Sequence, residues 1–139
     1  QKFSKLVVDK VISSPYINGA EEVFKSNNIL KFIATGTPDE EIDMICKKLN
    51  ITKYFDGIYG SSSPKKEIIK FILDKYKLEP VDTLMIGDSE TDYKHSYINN
   101  VPFYLRETDY NELIFNENYN IKNKKKDLKY LSKIINEAN

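Results

Sequence analysis

The run Thr83-Leu84-Met85-Ile86-Gly87-Asp88-Ser89-Glu90-Thr91-Asp92 constrains the fold of this chain more than any other. Its apolar stretch lacks polar alternation, so it reads as a strand buried on both faces, as in a parallel sheet. Gly87 lets the backbone turn sharply out of that strand. Glu90 to Asn99 then reads as a helix with Ser89 at its N-cap. Asp88 thus falls just past the carboxyl end of a strand, where open α/β sheets hold their ligands. Asp92 lies in the first helical turn and can point back toward the same spot. Two converging carboxylates make a candidate Mg²⁺ site, because that ion takes hard oxygen ligands and keeps several waters. A purely local role is the alternative, with Asp92 completing a capping box with Ser89 and Asp88 capping a turn.

Strands and helices alternate through the rest of the chain. At the N-terminus, Phe3, Leu6, Val7 and Val11 are spaced i, i+3, i+4, i+8, which favours an amphipathic helix over Lys2 to Ile12. The alternative there is a strand, Lys5 to Val8, ending at Asp9. Ser14-Pro15 breaks either element. Gly19 to Ser26 reads as a short helix and Ile29 to Ala34 as a strand. Thr37, Pro38 and Glu40 give a helix-start signal: N-cap, proline at N1, acid at N3. With Thr37 occupied as the cap, Thr35 is the hydroxyl left over at the strand's carboxyl end, beside Gly36 and its accessible N–H. That helix runs to about Leu49, with Cys46 on its buried face as a small core residue.

Asp56 to Gly60 reads as a short strand. Ser63-Pro64 opens a helix to about Tyr76, with Lys65 and Lys66 in its first turn. Cations there oppose the helix dipole by about 0.3–1 kcal/mol each, a cost that a nearby anion offsets. Solvated surface lysines are the alternative. Val81 to Gly87 and Val101 to Leu105 are further strands. Thr108 to Asn120 reads as loop with a short helix, Ile121 as the start of a small edge strand, Asn123 to Lys126 as a basic turn, and Asp127 to Glu137 as a closing helix. His95, the sole histidine, sits on a polar helix and is expected at the surface. This alternation predicts an α/β protein with a parallel, Rossmann-like sheet. Thr35, the Lys65 region and the pair Asp88 and Asp92 then share its carboxyl edge. A hydroxyl, a cation and a metal-binding acid pair suit a phosphoryl group, whose charge they neutralise.

Composition narrows the partners. Among the 139 residues, Lys plus Arg and Asp plus Glu both number 21, a balance that argues against a dominant nucleic-acid or membrane footprint. The length suits one core. A lone cysteine permits no internal disulfide and suits a reducing, cytoplasmic setting. No apolar run approaches the ~20 residues of a transmembrane helix. The first residue is Gln rather than Met, which suggests a fragment or a processed product.

On these residues, the chain from about Pro15 onward resembles the haloacid dehalogenase superfamily, in particular its phosphoglycolate-phosphatase-like members. Phe32-Ile33-Ala34-Thr35-Gly36 is similar to the second motif of that family, with Thr35 as phosphate-binding hydroxyl. Lys65, with Lys66 as runner-up, is similar to the lysine of the third. Gly87-Asp88 with Asp92 is similar to the fourth, Asp88 as Mg²⁺ ligand and Asp92 as supporting acid. The resemblance implies a Mg²⁺-dependent phosphatase of a small phosphorylated metabolite. It also implies catalytic roles for Thr35 and Lys65, phosphate contacts from Thr35, Gly36 and Lys65, and a metal site at Asp88 and Asp92. The N-terminal helix followed by Pro15 and Gly19 resembles the last helix of a C1-type cap, so residues 1–14 are expected to be a cap remnant and 15–139 the core.

One departure matters. The family's first motif is a strand ending in Asp-x-Asp, whose first aspartate is the nucleophile and whose second is the general acid. The nearest match here, Leu6-Val7-Val8-Asp9-Lys10-Val11, lacks the second acid. The expectation is therefore a core lacking its usual first strand, with the nucleophile in an upstream segment. Such a chain is expected to be inactive alone, and to be poorly stable, self-associate or keep the missing segment bound. The alternative is a non-catalytic binding or regulatory module of the same fold.

Overall fold

The computed structural model describes residues 5–8, 20–26, 29–108, 111–119, 123–125 and 129. Six parallel strands form one sheet: β1 (Lys5–Val8), β2 (Leu30–Ala34), β3 (Gly57–Tyr59), β4 (Thr83–Gly87), β5 (Phe103–Arg106) and β6 (Asn123–Lys125), in the spatial order β3-β2-β1-β4-β5-β6. The helices are α1 (Ala20–Phe24), α2 (Asp39–Lys48), α3 (Lys65–Lys75), α4 (Glu90–Ile98) and α5 (Glu112–Asn118). The α/β, Rossmann-like class predicted from the alternation is the observed one.

Strand alternation divides the core in two, because successive side chains leave opposite faces of a sheet. Val8, Ile33, Leu84 and Ile86 pack on one side with Val23 and Phe24 of α1 and Ile42 and Cys46 of α2. Val7, Phe32 and Met85 pack on the other with Ile68, Ile69 and Ile72 of α3 and Phe115 of α5. Burial holds the Cys46 thiol up at about 11, in keeping with a core residue.

The expected helix over Lys2 to Ile12 is corrected. Lys5–Val8 is a strand, and it occupies the middle of the sheet, with Val7 facing Phe32 on one side and Met85 on the other. The position expected to be empty between β2 and β4 is therefore filled by this chain's own segment. The reason is physical. A free seam would leave the backbone groups of β2 and β4 unpaired in the core, and Lys5-Leu6-Val7-Val8 is apolar enough to fill it. Asp9, the next residue in sequence, lies outside the described residues, as do the caps and turns around Pro15.

Smaller corrections follow the same logic. Pro38, not Thr37, is the N-cap of α2, and no side chain caps that helix. Residues Pro80–Asp82 form a 3₁₀ turn before β4 starts at Thr83. The basic turn expected at 123–126 is in part a strand, since Asn123–Lys125 pairs with β5. Of the expected closing helix over 127–137 only Lys129 is described, as helical, and the start at Ile121 falls outside the described residues. Among the described residues, no helix is long and apolar enough to cross a membrane.

Candidate functional site

The site is built where β2, β3 and β4 end. β4 delivers Asp88 and then Ser89, whose hydroxyl accepts the Asp92 N–H at 3.1 Å and caps α4 as expected. The Asp92 carboxylate does not close a reciprocal box with Ser89. It turns inward, fully buried, where Oδ2 accepts the Asp88 N–H at 3.3 Å and Oδ1 accepts from Lys65 Nζ at 2.5 Å. Gly87 makes this possible. A Cβ there would stand 2.4 Å from Asp92 Oδ2 and 2.7 Å from its Cγ, so no other residue admits the carboxylate so close to the strand end.

Lys65, the first residue of α3, is thus the lysine that meets the acid pair; its side chain is 12% exposed and that of Asp92 is 0% exposed. Lys66 is exposed. Of these two lysines, Lys65 is the one that the fold brings against Asp92. Its opposition to the α3 dipole is offset within the protein by Asp92.

Thr35 follows β2 and is buried. Its hydroxyl organises the next turn: Oγ1 accepts the Thr37 N–H at 3.2 Å and donates to Thr37 Oγ1 at 3.3 Å. The reasoning that left Thr35 free because Thr37 was a cap is therefore corrected, since the two threonines are partners. Gly36 is exposed, and a Cβ on it would meet nothing within 4 Å, so the space above it is open.

Thr35, Gly36, Lys65, Ser89 and Thr91 share one cleft of about 470 Å³, together with Ser61 and Ser63 from the β3–α3 loop. The half-buried His95, expected at the surface, lines it as well. Burial first, then the charges of Lys65 and Lys66, hold the His95 imidazolium below its usual range. None of the described lining residues is acidic, so the cleft offers hydroxyls, an ammonium and an imidazole: the complement of an oxyanion.

Sequence reasoning missed Asn111. It is buried, and its Nδ2 donates to Asp88 O at 2.8 Å and to Arg106 O at 3.2 Å, while its Oδ1 accepts the Thr108 N–H at 2.8 Å. One amide therefore ties the loop carrying Asp88 to the end of β5. Its signal in the sequence is faint, because an asparagine in a polar loop looks like any turn residue.

The two acids of the expected metal site stand differently. Among the described residues there is no cluster of three metal-ligating side chains. Asp92 is fully buried, with its oxygens on Lys65 and the Asp88 backbone, and Asp88 itself is half-buried just past the end of β4. One carboxylate, waters and a substrate phosphate are a set that Mg²⁺ accepts. Were Mg²⁺ to bind here, Asp88 would be the residue to hold it and Asp92 the acid that supports its loop.

The fold and site define a doubly wound α/β protein with a hydroxyl, a lysine and an acid pair at the carboxyl edge of its sheet. The chain belongs to the haloacid dehalogenase-like hydrolase family, whose profile matches residues 2–105. Among solved structures it is similar to the core domain of a candidate phosphoglycolate phosphatase from Streptococcus pneumoniae (24% identity, TM-score 0.73, covering 98% of this chain and 96% of that one). It is similar also to a predicted phosphatase from Clostridium acetobutylicum (27% identity, TM-score 0.70, covering 86% of this chain and 59% of that one). A third is a haloacid dehalogenase-type hydrolase from Bacillus subtilis bound to magnesium (19% identity, TM-score 0.70, covering 86% of this chain and 55% of that one). The chain thus spans nearly all of the isolated core domain but less than two thirds of the two longer proteins. No curated protein sequence matches it significantly.

Proposed function

We propose that this chain is the core of a Mg²⁺-dependent phosphatase acting on a small phosphorylated metabolite. The observation that carries the reading is the Lys65–Asp92 pair beneath a cleft that holds Thr35 and Gly36 and lacks acidic lining among the described residues. Lys65 and Gly36 bind the phosphoryl oxygens, Thr35 shapes the turn beneath them, and Asp88 holds the metal. Mg²⁺, when bound, neutralises charge on the transferring group.

The reaction needs an aspartate to attack phosphorus, expel the alcohol and form an aspartyl-phosphate that water then cleaves. The strand that precedes Asp9 is the central one, which favours Asp9 for this role over an aspartate supplied from upstream sequence. The test is to incubate the 139-residue chain with Mg²⁺ and an aryl phosphate, quench in acid and map the phosphoryl adduct by mass spectrometry. An adduct on Asp9, lost in Asp9→Asn, supports the assignment. Undiminished turnover by Asp9→Asn would point to another nucleophile, and undiminished turnover by Asp88→Asn would overturn the metal site.

A second reading rests on one residue. Val11 stands where the family carries its general acid. A protein that binds phosphorylated ligands without turning them over fits that substitution, and binding without an adduct or release of phosphate would select it.

A further inference from the structure

His95 lines the cleft, and no motif accounts for it. Its Nδ1 is buried, and it is the buried side-chain nitrogen or oxygen left without a hydrogen-bond partner among the described residues. Leaving such an atom unmet is unfavourable, so its placement calls for a reason. The ring's protonation follows from it. An imidazolium, or a neutral ring with hydrogen on Nδ1, would bury an N–H with no acceptor, and orphaned N–H groups are the rarer kind. The remaining form is neutral, with its hydrogen on Nε2. The positive charges of Lys65 and Lys66 and the ring's own burial favour that neutral form independently. With Nδ1 turned into the protein and the residue lining the cleft, Nε2–H is the polar group His95 has to offer a ligand.

We propose that His95 is a substrate-contact residue, whose Nε2–H donates a hydrogen bond to a non-bridging oxygen of the phosphoryl group held beside Lys65. This rests on the phosphoryl-site reading above and adds a donor to it. A neutral imidazole gives the cleft a directed hydrogen bond without a second full charge next to Lys65, so the site keeps one ammonium paired with Asp92 and gains an oriented contact.

The test uses the ¹⁵N-labelled 139-residue chain with Mg²⁺ and inorganic phosphate, followed by long-range ¹H–¹⁵N spectra of the imidazole and by backbone amide shifts. The expected result is an Nε2–H tautomer in the free protein, with phosphate moving the His95 ring signals together with the amides of Gly36 and Lys65. His95→Phe, which keeps a ring and removes the donor, should weaken phosphate binding about three- to tenfold. His95→Gln, which restores an N–H, should recover most of that loss. Phosphate that moves Gly36 and Lys65 while leaving the ring unmoved would overturn the role of His95 and keep the phosphoryl site. Phosphate that moves neither would overturn the site itself, and His95 with it. If His95→Phe does not fold, the wild-type ring shifts and His95→Gln decide, because a Gln variant binding tenfold more weakly with no ring response in the wild type also refutes the contact.

Discussion

Replacing Lys65 by methionine removes a cation from a carboxylate that is itself fully buried, and the consequence can be worked out before any activity is measured. The pair is close, 2.5 Å, with 12% and 0% side-chain exposure. Breaking a buried pair by deleting one partner costs about 3–5 kcal/mol, because the remaining charge is left in a poor solvent. With a urea slope of about 1–3 kcal/mol per M, the unfolding midpoint of Lys65→Met should fall by roughly 1–5 M. Lys66→Met touches an exposed neighbour in the same helical turn and should stay within about 0.5 kcal/mol of the parent. The cycle completed by Asp92→Leu and the double variant should return a coupling of about 1–3 kcal/mol, and the double variant should be more stable than Lys65→Met alone. Urea titrations followed by circular dichroism at neutral pH give all of these values. Equal midpoints for the Lys65 and Lys66 variants, or coupling below about 0.5 kcal/mol, would refute the claim that Lys65 is the lysine tied to the acid pair.

Other outcomes follow from single residues. In activity, Lys65→Ala should lower kcat/KM by about 10²-fold or more, the scale of one transition-state charge contact, and Lys66→Ala far less. Gly87→Ala should cost about 1–3 kcal/mol by overpacking against Asp92 and should weaken Mg²⁺ binding by shifting the Asp88 loop, as calorimetry would register. Because Val11 replaces the family's general acid, turnover should favour esters with acidic alcohols, such as aryl phosphates, over alkyl phosphates by about 10²–10⁴-fold in initial rate. His95 is held below its ordinary range in the fold, so the unfolded chain takes up its proton first. Stability should therefore fall as pH drops below about 6.5, and His95→Gln should flatten that part of the pH profile.

Much of this site was readable from the chain because local rules and global fold agree there. The apolar run into Gly87, the Ser89 cap and the spacing from Asp88 to Asp92 each require only neighbouring residues. The choice between Lys65 and Lys66 was not local. It depends on which way α3 faces α4, and the pairing with Asp92 favours Lys65. Thr37 carried every sign of a cap, yet its amide found the Thr35 hydroxyl instead. The N-terminal misreading has a sharper cause. Leu6 and Val7 serve both the helical spacing and the apolar strand, and only a vacancy in a distant sheet, invisible from within the segment, selects the strand. His95 was visible as the sole histidine but could not be placed in the cleft, because α4 presents no amphipathic pattern to say which face looks into it.

The sheet's central position for β1 carries a cost in time. This strand is the first described element to be synthesised, yet one of its two neighbours, β4, begins about 75 residues later. At about 5–20 residues per second, β1 waits roughly 4–15 s for that partner. During this interval a buried-type strand stands with at least one edge open, the arrangement most prone to pairing with another chain. Most of the sheet's closure must therefore await Thr83–Gly87, and the segment that later anchors the acid pair is also the one that ends the nascent chain's exposure.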